Sequence, residues 1–82
     1  MVNAMTFFRV RILRSRLAHY VAHSAEYLAM LHDAYAIREG DSIEIEDQSG
    51  ALVGIVLGTD TYVILDWMSD STTVRLPIGG DA

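Results

Sequence analysis

The chain has 82 residues, which is enough for one ordinary hydrophobic core and too few for two. Its composition is 51% hydrophobic and 21% charged with one Pro, which excludes a disordered chain, and the lack of Cys excludes a disulfide framework or thiolate zinc site. The net charge of -5 conceals a split: residues 1–16 carry Arg9, Arg11, Arg14 and Arg16 with no acid, and residues 17–82 carry Arg38 and Arg75 against all eleven acids. An acidic body argues against strong non-specific nucleic-acid binding, which depends on neutralising phosphates, but it leaves room for a local site.

Residues 1–15 form an N-terminal extension with two open readings. Phe8, Val10 and Ile12 alternate with Arg9 and Arg11, the period of a strand. Phe7, Val10, Leu13 and Leu17 also fit a helix running into the next segment. Residues 16–39 contain no Gly or Pro, and Leu17, Val21, Ser24, Leu28, Leu31 and Tyr35 recur at spacings of three and four. That is one buried helical stripe, with Gly40 placed just past its end and Arg38 near the C-terminal dipole. A rival reading starts the helix at Ser24 and leaves Leu17–Ala22 extended.

Residues 41–80 read as strands. Ile43 and Ile45 alternate with Glu44 and Glu46, and Asp47–Gly50 is a turn. Leu52–Leu57 and Tyr62–Trp67 are apolar on both alternating sets apart from Gly54 and Asp66, so both of their faces call for a cover. One helix cannot supply all of it, which points to a partner surface. Thr72–Leu76 closes the series. The expected fold is mainly β with an N-terminal helix, a small bent sheet or barrel in one domain. No run approaches the ~18 apolar residues of a spanning helix. The start has its charges after its apolar residues and makes a poor secretory signal, so no membrane partner and a cytoplasmic location are expected.

The segment Gly50-Ala-Leu-Val-Gly54-Ile-Val-Leu-Gly58-Thr-Asp60-Thr-Tyr62-Val-Ile-Leu65 resembles the first motif of the Sm/LSm/Hfq family of small RNA-binding proteins. Thr73-Val74-Arg75 is similar to the start of the second motif, and Tyr27–Leu31 to the end of the family's N-terminal helix. The resemblance covers roughly residues 24–79. It implies an Sm-like (SH3-like) barrel, a closed homo-oligomeric ring, and single-stranded RNA bound weakly or selectively at the pore. Asp60, Thr61, Tyr62 and Arg75 would carry that binding, with Tyr62 stacking on a base, Arg75 beside it, and Asp60 ordering the loop. The chain departs from the family where Ile64 and Leu76 replace an Asn and a Gly, and little sequence remains for a fifth strand. Phe8–Leu13 is a candidate to replace that strand, within the subunit or on a neighbour.

Other chemistry is thin. His19, His23 and Glu26 share one helical face at spacings of four and three, which is a weak metal-ligand arrangement, and no cofactor is expected. Asp47, Asp60, Asp66 and Asp70 lie near turns, where aspartate serves the backbone. Gly50, Gly54 and Gly58 are not followed by a Lys-Ser/Thr pair, so they make no phosphate loop, and no nucleophile–base pair is spaced for catalysis. The chain reads as a non-enzyme without a small-molecule substrate. The alternative to RNA binding is a structural or regulatory protein-binding oligomer on the same scaffold. For the arginine-rich start, pairing with the acidic body is the preferred reading over phosphate binding.

Overall fold

Phe8, Val10 and Ile12 face the interior while Phe7, Arg9 and Arg11 face out, so the start of the chain is a strand, β1 (Phe7–Ile12). It opens the computed structural model, which describes residues 6–68 and 71–78. A single 3-10 turn at Arg14–Arg16 leads into helices α1 (Leu17–Ala22) and α2 (Ser24–Tyr35). Strands β2 (Ser42–Asp47), β3 (Leu52–Gly58), β4 (Tyr62–Trp67) and β5 (Thr73–Pro77) follow. They form one five-stranded sheet in the order β1-β2-β3-β4-β5. The β1–β2 pair is parallel and the others are antiparallel. A parallel pair needs a long crossover, and the two helices are that crossover.

Both helices pack on one face of the sheet. Tyr27, Leu28 and Leu31 of α2 join Ile43, Ile45, Val56, Val63, Leu65 and Trp67 in the core. Leu17, Val21 and Tyr35 lie against it half-buried, so the expected helical stripe is the face that packs. The sheet is mainly β as expected, but β1 and β5 are its two free edges, and the expected barrel is corrected to an open mixed sheet. The N-terminal strand takes the within-subunit option, beside β2. No helix among the described residues is long and apolar enough to cross a membrane.

The single helix expected over residues 16–39 is interrupted at His23 (φ -118°, ψ 42°). The rival reading was right about the break near Ser24 and wrong about Leu17–Ala22, which is helical. Ser24 marks the break. The Ser24 hydroxyl donates to the Val21 carbonyl (2.6 Å), where the ladder is broken, and accepts from Trp67 Nε1 (2.8 Å). Ser24 is 4% exposed and Trp67 2%, so neither group has water as a substitute. Tyr20 tilts against Tyr27 at 4.5 Å and Tyr27 stacks on Trp67 at 6.0 Å. On the opposite side of the indole, a Cβ on Gly54 would lie 3.0 Å from Trp67 Cε3.

The helical segment also ends earlier than expected. Ala36 adopts the left-handed conformation (φ 49°) after Tyr35, and Gly40 (φ 89°) serves the following turn instead. Asp41 organises that turn by accepting from the Arg38 N–H (2.8 Å) and from the N–H of Thr6, just before β1 (3.3 Å). Gly58 is required here, because a Cβ would overlap the Arg38 carbonyl oxygen.

Burial, together with Tyr20 and Tyr35, pushes the Tyr27 hydroxyl up to about 12. Its neutral form therefore contributes stability that is complete below pH ~10 and is lost as pH rises from there towards 12. An alkaline titration followed by tyrosinate absorbance should show one late-ionising tyrosine that Tyr27→Phe removes. Separately, Ser24→Ala should lower stability by about 1–3 kcal/mol, since it leaves the indole N–H buried without a partner. Most of that loss should disappear in a Trp67→Phe background, as read by urea unfolding and a double-mutant cycle.

Candidate functional site

The sheet face opposite the helices carries the residues that the core does not use. Register places Phe7, Ser42, Leu57, Ile64 and Arg75 in one row across the five strands. Arg9, Glu44, Ile55, Asp66 and Thr73 form the next row. Phe7 is 52% exposed and Leu57 47%, with Ile55, Ile64 and Tyr62 half-buried around them. This is where the doubly apolar strands β3 and β4 turn their second faces. Sequence periodicity detects those faces, but only the position of the helices shows which of the two lacks a cover.

The charges that β1 and β2 place on this face are matched there. Arg9 Nε lies 3.0 Å from Glu46 and 3.8 Å from Glu44, and Arg11 lies 3.3 Å from Glu46. Just beyond the strand, Arg14 reaches Asp47 at 2.8 Å. Arg9 also lies over the Phe7 ring at 5.4 Å, and Arg16 lies over the Tyr20 ring at 5.7 Å. Arg9, Arg11 and Arg14 are thus paired with β2 acids of their own subunit, in line with the preferred reading.

Of the four expected RNA-contact residues, the structure brings two together. The Arg75 guanidinium lies 5.0 Å over the Tyr62 ring, on the helix-free face and beside Ile64. Thr61 is exposed, and its carbonyl accepts from the Ile78 N–H at 3.0 Å. Asp60 is exposed and lines a cleft of about 560 Å³ with His32, Asp33, Arg38 and Glu39. Thr59 makes the side-chain hydrogen bonds that close this turn. The Thr59 hydroxyl accepts from the Tyr62 N–H (3.0 Å) and donates to the Tyr62 carbonyl (2.7 Å). A threonine opening a three-residue turn is a readable signal, because its hydroxyl can replace a backbone partner.

The histidine group does come together as a surface cluster, with His19 and His23 rings 4.6 Å apart and His23 Nδ1 3.9 Å from Glu26. Among the described residues, no group of three or more His, Cys, Asp or Glu side chains could hold a metal ion. The turn aspartates are dispersed. Asp47 sits at the β2–β3 turn, Asp60 at the opposite end of the sheet, and Asp66 accepts from the Thr73 hydroxyl at 3.1 Å. Asp70 lies outside the described residues. No family model, curated protein or solved structure matches the chain, so the reading of the face rests on its own geometry.

Asp47 fixes one border of the face. One carboxylate oxygen accepts from the Ser49 hydroxyl (2.6 Å), the Ser49 N–H (2.9 Å) and the Ala51 N–H (3.0 Å), and the other from Arg14. The Ser49 hydroxyl, then Arg14, hold this acid well below the usual carboxylate range against the opposing effect of burial. A depressed folded value means that the stabilisation is present above pH ~4 and is lost as pH falls below it. Acid unfolding of Asp47→Asn should therefore be flatter below pH ~4 than that of the wild type, with lower stability at neutral pH. Tryptophan fluorescence against pH checks both, and parallel acid limbs would remove Asp47 as the cause.

Proposed function

We propose that the chain is a small structural or regulatory interaction module that docks protein on its helix-free sheet face. The observation that carries this reading is the exposed Phe7 and Leu57 with half-buried Ile64 beside Leu57, bordered on the β1–β2 side by closed ion pairs. Apolar area drives association, and charges that keep their partners need little rearrangement on desolvation. Interface cores favour aromatic residues and Arg, and this face holds Phe7, Tyr62, Arg9, Arg11 and Arg75.

A second reading, weak binding of single-stranded RNA, is favoured by the Tyr62–Arg75 pair. A planar cation over an aromatic ring on an open sheet is a stacking platform, worth ~1–3 kcal/mol per stacked base. The resemblance to the Sm/LSm/Hfq family adds a closed ring to this reading, built through the free edges β1 and β5.

One experiment separates the readings. A photo-crosslinking phenylalanine analogue at Leu57, in the organism that encodes the chain, should yield protein adducts. Adducts only with RNA, lost in Tyr62→Ala, would replace the first reading by the second. Recovery of the unmodified chain alone would overturn both.

A further inference from the structure

Resting on the docking reading, we infer that the occupant of the helix-free face is a second copy of this chain, packed sheet on sheet about a two-fold axis. Charge distribution selects this occupant. The face holds Arg9, Arg11 and Arg75 against Glu44, Glu46 and Asp66, so it has no net charge. The other described residues carry three Arg against six acids, a formal -3. Two copies meeting through this face therefore bring no excess of like charge together, whereas the remainder is on balance acidic.

The same balance disfavours other occupants. A nucleic acid draws most of its affinity from phosphate neutralisation, and a face with no excess cation supplies little of it. A strongly basic protein would be drawn to the acidic remainder in preference to this face. A two-fold interface must be complementary to itself, a condition that a patch with both signs of charge around an apolar centre can meet. Leu57 and Ile64 supply the centre, with the Arg9–Glu46 and Arg11–Glu46 pairs towards one edge and Arg75 and Asp66 towards the other.

Area sets the strength. Five strands at ~4.8 Å spacing and about five residues at ~3.3 Å rise give a face of roughly 400 Å² in projection. Two such faces total ~800 Å², below the ~1,200 Å² of standard stable interfaces. Two twisted sheets pack about 10 Å apart with their strands rotated by roughly 30°. The inferred assembly is therefore a weak, reversible dimer that forms with concentration.

Sedimentation equilibrium of the full chain from micromolar to near-millimolar concentration tests this. The wild type should move from 9.1 kDa towards twice that mass, and added salt should leave the dimer unchanged or tighten it. Leu57→Glu should weaken dimerisation at least ~10-fold, since it buries two unpaired carboxylates near the axis. Met30→Glu, on the exposed side of α2, should leave it unaltered, and far-UV circular dichroism should match for all three proteins. A monomer throughout the range overturns the inference, as does a dimer indifferent to Leu57→Glu or a mass of several copies. The crosslinker at Leu57 keeps the two failures apart. Adducts only with other proteins preserve the docking face and reject the second copy, whereas no protein adduct rejects the face itself.

Discussion

The hydrogen bond from the Trp67 indole to the Ser24 hydroxyl joins the sheet to the helices at the point where the helical segment breaks. Each of its neighbours is arranged around it. Gly54 leaves room for the ring on one side, Tyr27 stacks on it from another, and Val21 receives the serine's own proton. The break at His23 and the buried indole lie at one place, and both helices pack on the same face of the sheet, which leaves the second face of β3 and β4 without a helix over it.

A second constraint is the pairing of the early arginines with β2. Parallel strands in register set Arg9 opposite Glu44 and Arg11 opposite Glu46, so local charge balance follows from strand order. Such exposed pairs contribute little stability individually. Their effect is on what the face attracts, because a row of free arginines would favour polyanions and a row of closed pairs does not.

Much of the β half is legible in the residues. Strand β4 has the bounds read from its apolar run, and β2 has the dry and wet faces that Ile43/Ile45 and Glu44/Glu46 require. The helix end is not legible, because Gly40 is the obvious terminator and nothing marks Ala36 as the residue that takes the left-handed conformation. Sheet closure is equally hidden. The glycines at 54 and 58, which stand in the motif resemblance that implies a barrel, are required by the Trp67 ring and the Arg38 carbonyl, both of which are tertiary neighbours. At the candidate site, alternation alone puts Tyr62 and Ile64 on one face, but bringing Arg75 to Tyr62 needs the β4–β5 register. Asp60 misleads because its position in the motif resemblance carries no information about which way its side chain points.

The parallel placement of β1 has a consequence for how the sheet assembles. Turns of three to five residues join β2, β3, β4 and β5, whereas 29 residues separate β1 from β2. Closing the longer loop costs more chain entropy before any contact is gained. Loop length thus favours forming the four-stranded meander first, with β1 docking last. Until it does, Ile43 and Ile45 lack their β1 neighbours and the edge of β2 is open to any other strand. The register in which Arg9 meets Glu44 and Arg11 meets Glu46 is the one that leaves that edge covered by opposite charge.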